Sequence, residues 1–299
     1  MVLFSLFRRV HAIRVLAALA LVAAIASAAV TAPKAEPAKP DGRAKPAVID
    51  DMQIIRSLES QTARLHESGK TTPMADLVSQ LSRTSCEVGL ARPSGKPLAP
   101  DELYERCRKG VLIMAGLFKC DKCSRNHVAP ATGFVISESG VAVTNYHVVN
   151  KPKNLALVAM TAAGTVHPVK SVLAASAPHD VAIVQLDASG LVPLALVPRA
   201  PIGSDVFVIS HPDRRFYTMG KGIVARYGTM VRERQKVPML QITADYAKGS
   251  SGGPSSRAPA TWLAWPPAPC RSTTTTTTES RRTSRWPSTS VCRRNRSWN

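Results

Sequence analysis

Nine short segments between residues 111 and 244 are the feature that most limits what this chain can fold into. Each is apolar or alternates between apolar and polar residues, and Gly, Pro, Ser or Asn separates it from the next. The segments are VLIMAGLF, TGFVIS, VAVTNYHVV, NLALVAM, VHPVKSVLAA, DVAIVQLD, SDVFVIS, KGIVARYG and PMLQITA. Strands of this length at regular intervals predict an all-β sandwich or barrel.

Residues 51–110 carry a helical pattern. Apolar side chains recur at spacings of three and seven through Met52, Ile55, Leu58 and Leu65, which indicates an amphipathic helix. A second helix is expected from Pro100, because Pro followed by acidic residues is typical of a first turn. The pattern predicts a helical N-terminal appendage over 51–110 that packs on the strands.

The N-terminus predicts export. MVLFSLFRRVHAIR is positively charged, residues 15–30 are uncharged and apolar, and Ala-Ser-Ala at 26–28 offers a cleavage site. We expect a signal peptide over 1–28, a Pro/Ala-rich linker over 29–50, and a periplasmic or secreted protein. The alternative is an uncleaved anchor, with residues 15–30 attaching the protein to the inner membrane.

The formal net charge of +19 favours anionic partners in general. However, the body of the chain contains no nucleic-acid-binding motif with interleaved aromatic residues. All four tryptophans and many arginines lie in the last 45 residues, after residue 254. We therefore predict no nucleic-acid partner.

Three motifs carry residues that could do chemistry. TGFVISESGVAVTNYHVV places His147 near the end of a predicted strand, APHDVAIVQLD places Asp180 directly before a strand, and DYAKGSSGGP places Ser251 in a glycine-rich turn. Alone, each has an ordinary interpretation: a histidine bonded to backbone, an Asp in a turn, or a flexible linker. Their joint occurrence, each beside a suitable strand, favours one shared site.

The order His, Asp, Ser resembles the trypsin/chymotrypsin-like serine peptidases, especially the bacterial trypsin-like and HtrA-like branch. T-G-F at 132–134, T-N-Y-H at 144–147, H-D-V-A at 179–182 and G-S-S-G-G-P at 249–254 carry the resemblance. It implies a trypsin-like double β-barrel over 111–254, with the active site in the cleft between the barrels. It also implies a protein or peptide substrate and no metal or organic cofactor.

The resemblance assigns a role to each residue. His147 is the base that activates the Ser251 hydroxyl, and Asp180 holds the imidazole in the correct tautomer. Ser251 is the nucleophile because it directly precedes Gly-Gly-Pro, and the amides of Gly249 and Ser251 form the oxyanion hole. The expected activity is that of an exported serine endopeptidase that works through an acyl-enzyme.

Asp245 lies six residues before Ser251. In trypsin-like enzymes that position lines the base of the substrate pocket, where an acid would suit Arg or Lys substrates. A solvated Asp at a strand end is the alternative.

The cysteines have several interpretations. Cys120 and Cys123 form a Cys-x-x-Cys motif close to His127, which is typical of a redox pair or half a zinc site. A zinc site would need Cys86 or Cys107 as well, and the body of the chain has no second such motif. In an exported protein a disulfide is the commoner outcome, so we predict Cys120–Cys123 with or without Cys86–Cys107, and no metal. His127, with His179 and His211, is expected to be a structural or surface histidine.

Residues 255–299 form an aberrant, low-complexity tail. The family pattern requires two further strands here, but the sequence shows no strand alternation and a run of six threonines at 273–278. Read one base earlier, Trp and Cys codons would encode Leu, Met or Val, and Thr codons would encode Tyr, His, Asn or Asp. We therefore expect a shifted reading frame near codon 255 and an incomplete second barrel. The alternative function is a catalytically dead peptidase-fold protein that binds peptides or partners.

Overall fold

The computed structural model describes residues 48–93, 98–123, 125–197, 199–245 and 247–253, together with four short strands beyond residue 254. All of these except Val48 belong to one compact unit, Ile49–Asn299. The predicted signal or anchor and most of the linker lie outside the described residues. Within the described residues, no helix combines the length and apolar character needed to cross a membrane.

Six strands close into a barrel in the order β2-β3-β4-β7-β6-β5. Their bounds are β2 Val111–Lys119, β3 Asn126–Ser137, β4 Val141–Thr144, β5 Ala156–Met160, β6 Val166–Ser176 and β7 Val181–Leu186. All neighbouring strands are antiparallel. The barrel confirms the all-β expectation.

Strand β2 shows why the barrel strands are almost wholly apolar. Because side chains alternate between the two faces of a strand, Ile113 and Leu117 enter one hydrophobic cluster, whereas Leu112 and Met114 enter another. Both faces of β2 are therefore buried, and every residue from Val111 to Leu117 is shielded from solvent.

The helices pack on the barrel as an appendage. Their bounds are α1 Asp51–Glu67, α2 Met74–Ser79 and α3 Pro100–Cys107. Helix α1 begins after Asp50, whose carboxylate accepts a hydrogen bond from the Gln53 amide at 2.9 Å, as expected of an N-cap. Ile55 and Leu58 of α1 share a hydrophobic cluster with β2. Met52 departs from the expected stripe, because 62% of its surface is exposed.

A second sheet follows the barrel along the chain, with strand order β11-β10-β9-β12-β13-β8. Its strands are β8 Leu196–Val197, β9 Asp205–Ser210, β10 Thr218–Arg232, β11 Gln235–Ile242, β12 Ser255–Arg257 and β13 Thr261–Leu263. Strands β11 and β8 end this order, so in the part of the chain that is described the sheet is open. This agrees with the expectation of an incomplete second barrel.

Two details differ from the sequence-based expectations. The segment predicted as one strand over 141–149 divides into β4 and a helical turn, α4 Tyr146–Val149. The tail was expected to lack strands, yet β12 pairs with β9 and with β13. The short strands β1 Cys86–Glu87, β14 Cys270–Ser272 and β15 Ser284–Arg285 form a third sheet. Backbone pairing needs no side-chain alternation, which explains why the pattern gave no sign of these strands.

Candidate active site

His147 and Asp180 form a hydrogen-bonded pair on the barrel. His147 lies in α4, directly after β4, and Asp180 precedes β7, which pairs with β4. The Nδ1–H of His147 donates to Oδ2 of Asp180 at 2.9 Å and lies 3.0 Å from Oδ1. The backbone amide of His147 also donates to Oδ1 at 3.1 Å. This arrangement fixes the imidazole tautomer and leaves Nε2 able to act as a base.

The surroundings of Asp180 favour its ionised form. Burial raises the pKa of this carboxyl, but the hydrogen bonds from His147 and the charge of Arg232 outweigh burial and hold the pKa below its ordinary value. Arg232 belongs to β10 of the second sheet, and its Nη1 lies 3.6 Å from Oδ2. The Asn145 side-chain amide donates to the backbone oxygen of Asp180. The backbone of Asp180 has φ 53°, a left-handed conformation that Asp tolerates better than most residues do.

The turn over 249–253 packs tightly and depends on its glycines. Gly249 and Gly252 have φ values of 97° and 83°, where other residues are strained. A side chain at Gly249 would meet the backbone oxygen of His211, and one at Gly252 would meet the backbone oxygen of Thr132. The glycine-rich segment is therefore a specific turn, not a flexible linker.

Thr132 of the barrel strand β3 holds this turn. Its amide donates to the backbone oxygen of Ser251 at 2.8 Å, and its hydroxyl donates to the backbone oxygen of Gly249 at 2.8 Å. The hydroxyl of Thr144 on β4 donates to the backbone oxygen of Thr132 at 2.8 Å. Thr132 is fully buried. The sequence alone does not reveal this role, although Thr132 begins the T-G-F motif at 132–134 that resembles the peptidase family.

The two serines of the turn differ in their contacts. The hydroxyl of Ser250 accepts a hydrogen bond from the hydroxyl of Ser210 at 2.9 Å and faces the Ala247 amide at 3.4 Å. Among the described residues, Ser251 has no hydrogen bond to its hydroxyl. The Ser250 hydroxyl therefore takes part in the hydrogen bonds that hold the turn. The Ser251 hydroxyl makes no such bond with the described residues.

The expected oxyanion-hole donors lie in the same turn. No described residue accepts a backbone hydrogen bond from the amide of Gly249 or of Ser251. Likewise, no hydrogen bond joins Ser251 to His147 within the described part of the chain. Such bonds are often long before substrate binds. The geometry thus supplies an oriented His147 imidazole and a turn over 249–253 that Thr132 holds.

Comparison with known proteins identifies the domain. The family described as the trypsin-like peptidase domain matches residues 131–257, which include His147, Asp180 and Ser251. Residues 131–257 form a trypsin-like peptidase domain. No curated protein matches the chain.

Two solved structures resemble the chain. The HtrA-type protease AlgW, solved with a tripeptide, is 16% identical with a TM-score of 0.48, and the alignment covers 56% of this chain and 54% of that one. The chain thus spans about half the length of that protease. Rv3671c from M. tuberculosis H37Rv, solved as the inactive form of a serine-to-alanine mutant, is 21% identical with a TM-score of 0.46. That alignment covers 60% of this chain and 83% of the other.

Asp245, His211 and His179 lie in different environments. Asp245 is exposed, shortly after β11. His211 is fully buried: its Nε2–H donates to the Leu112 oxygen at 3.1 Å, and its Nδ1 accepts from the Tyr217 amide at 3.0 Å. Burial lowers the pKa of His211 to about 4, so this histidine is neutral and structural, as expected. His179 is hydrogen bonded to Ser176 at 2.8 Å.

The cysteines differ from the expected disulfides. Cys107, Cys120 and Cys123 are thiols, and no bond joins Cys86 to Cys107 or Cys120 to Cys123. Cys107 is buried in the hydrophobic cluster beneath α3, where burial raises the pKa of its thiol to about 12. Cys123 points at His127, with Sγ 3.3 Å from Nε2.

Proposed function

We propose that this chain is an exported serine endopeptidase that cleaves protein or peptide substrates through a Ser251–His147–Asp180 triad. The observation that carries the proposal is the two-point hydrogen bonding of His147 to Asp180, with the nucleophile turn attached to the same barrel through Thr132. The family match over residues 131–257 supports the peptidase class.

The proposed reaction uses these groups in sequence. His147 Nε2 takes the proton of the Ser251 hydroxyl as its oxygen bonds to the scissile carbonyl carbon. Asp180 stabilises the resulting imidazolium, and the amides of Gly249 and Ser251 bind the negative oxygen of the tetrahedral intermediate. His147 then gives its proton to the leaving amine, which leaves an acyl-enzyme. Water, activated by His147, hydrolyses the ester and restores Ser251.

A serine-directed fluorophosphonate tests the nucleophile, with Ser251→Ala and Ser250→Ala as a matched pair. We expect Ser251→Ala to abolish labelling, because it removes the attacking oxygen. Ser250→Ala should keep labelling, since its hydroxyl contacts Ser210 and the turn. Labelling that persists in Ser251→Ala, or that is lost in Ser250→Ala alone, would show that Ser251 is not the nucleophile.

The second candidate function is a catalytically dead peptidase-fold protein that binds peptides. Two observations favour it: no hydrogen bond joins Ser251 to His147 among the described residues, and the tail after residue 254 lacks the alternation of pocket strands. A folded chain that resists the fluorophosphonate but binds peptides would support this candidate. Resequencing codons 248–299 from source DNA tests whether the tail over 255–299 arises from a shifted reading frame.

Export rests on the N-terminal sequence. The charged start, the apolar residues 15–30 and Ala-Ser-Ala at 26–28 favour a cleaved signal and a periplasmic or secreted protein. An anchor in the inner membrane is the alternative. N-terminal sequencing of the mature protein separates them, because cleavage predicts a chain that starts at Ala29, whereas an anchored chain keeps its first residues.

If Asp245 lines the substrate pocket, Asp245→Ser should reduce cleavage after Arg or Lys.

A further inference from the structure

A second cluster of reactive side chains lies at the start of β3, near Asn126. The β2–β3 hairpin joins Lys119 to Asn126, and its turn carries Cys120 and Cys123. His127 follows on β3, paired with Phe118. The turn is closed by a hydrogen bond from the Cys120 amide to the Arg125 oxygen at 3.2 Å. None of these residues takes part in the proposed peptidase reaction.

The three side chains converge on one point. One ligand atom each from Cys120, Cys123 and His127 lies within 4.8 Å of the others, and the Cys123 Sγ to His127 Nε2 distance is 3.3 Å. Tetrahedral Zn²⁺ with typical bond lengths places two sulfurs about 3.8 Å apart, and a sulfur and a nitrogen about 3.6 Å apart. The observed spacing thus requires shifts of about 1 Å or less to surround a zinc ion.

The groups that contact His127 and Cys120 are also typical of a zinc site. The Nδ1 of His127, its other ring nitrogen, lies 3.1 Å from the Glu59 carboxylate of helix α1. A carboxylate in this position fixes the tautomer that presents Nε2 to a metal and is a recurring partner of zinc-binding histidines. The Lys122 amide faces the Cys120 sulfur at 3.4 Å, where it would stabilise a thiolate.

We propose that Cys120, Cys123 and His127 bind a Zn²⁺ ion, with Glu59 orienting the histidine and water completing the tetrahedron. Two soft thiolates and an imidazole suit zinc better than they suit the oxygen-preferring cations Mg²⁺ and Ca²⁺. The exposure of Cys123 leaves room for the water. The site goes beyond the peptidase proposal and does not depend on it.

The position of the site gives it a structural consequence. Bound zinc would join the two ends of the hairpin turn and, through Glu59, connect the turn to helix α1. Helix α1 also contacts the barrel through Gln61, whose side chain donates to the Gly164 oxygen and accepts from the Val166 amide. We therefore expect zinc to stabilise the attachment of the appendage to the barrel.

Cobalt(II) is the probe that tests the site, because thiolate ligands give it an intense charge-transfer absorption. The full chain, reduced and freed of metal, is titrated with Co²⁺ and then with Zn²⁺. We expect a band that saturates at one equivalent of Co²⁺ and disappears on addition of Zn²⁺. Absence of a thiolate-to-cobalt band in the folded, reduced chain would overturn the proposal. Rapid closure of a Cys120–Cys123 disulfide in air despite excess Zn²⁺ would also overturn it.

Matched variants locate the ligands. Cys123→Ser and His127→Ala should each weaken Zn²⁺ binding by more than 100-fold, whereas His167→Ala, a partly buried histidine of β6, should leave it unchanged. Glu59→Gln should weaken binding about 10- to 100-fold, and Glu67→Gln on the exposed end of the same helix should have no effect. Equal affinities for His127→Ala and the unaltered chain would exclude the proposed ligand set.

Discussion

The barrel and the second sheet are built from similar strands but are buried very differently. In β2 all residues from Val111 to Leu117 are buried, whereas in the longer strand β10 the buried residue is Val224. Among the described residues, β2–β7 expose no large apolar side chain, but β10 exposes Ile223, Met230 and Val231. The more deeply buried barrel therefore holds both the His147–Asp180 pair and, through Thr132, the turn over 249–253. The barrel can position this turn although the turn lies between β11 and β12 of the second sheet.

His211 connects the two regions and should give the largest effect. It follows β9 of the second sheet and donates to Leu112 of the barrel. Burial lowers the pKa of His211 in the folded chain from 6.5 to about 4. Between pH 6.5 and pH 4 this histidine is therefore protonated in the unfolded chain but neutral in the folded chain. Stability should thus fall by about 3 kcal/mol as the pH drops from 6.5 to 4. His211→Gln should remove this part of the pH dependence, as measured by urea unfolding at several pH values. An unchanged slope in the variant would show that other groups dominate.

Matched core substitutions compare the two regions directly. Val158→Ala in β5 and Val206→Ala in β9 remove the same atoms from two fully buried positions. We expect a loss of about 2 to 3 kcal/mol in the barrel, where the packing on both faces resists collapse, and about 1 kcal/mol in the second sheet. Chemical denaturation measures both losses. Equal losses would mean that the second sheet has as firm a core as the barrel.

Thr132→Val tests whether the barrel positions the turn over 249–253 that carries Ser251. The change keeps the shape of the side chain but removes the hydrogen bond to the Gly249 oxygen, which is worth about 1 kcal/mol. For an active peptidase we expect kcat to fall about fivefold with little change in KM, while the fluorophosphonate reacts correspondingly more slowly. Thr132→Ser should restore the rate, because it retains the hydroxyl. If Thr132 acts through packing alone, Thr132→Val should keep the rate and Thr132→Ser should lower it.

Arg232→Gln should have the smallest effect. Its ion pair with Asp180 crosses from the second sheet to the barrel but is partly exposed, so we expect at most about 1 kcal/mol of stability. Because the guanidinium helps lower the pKa of Asp180, the variant should raise that pKa, as followed by carbon NMR of the carboxyl. Arg234→Gln, at the exposed hairpin turn, is the control. Equal shifts in both variants would exclude a specific pair.

Local patterns predicted much of this molecule. Short apolar segments separated by turn residues predicted the barrel strands. The chemistry of His147 and Asp180 predicted a pair that the structure places in contact. The pairing depends on the register of β4 with β7, which places Thr144 beside Ala182. The contacts that sequence analysis missed join distant residues: Thr132 to Gly249, Ser210 to Ser250, and Glu59 to His127. No short-range pattern encodes these contacts, because they arise only when separate strands and helices have packed.

The left-handed backbone of Asp180 limits what can replace it. At φ 53°, Gly, Asn and Asp are accepted with little strain, whereas branched and bulky residues cost about 1 to 2 kcal/mol or more. In a library of variants at position 180, selection for folding alone would therefore remove most other residues. In such a library Asn, which fits the backbone but lacks the charge, would survive. The ratio of Asp to Asn after selection for cleavage would then report the catalytic requirement separately from the conformational one.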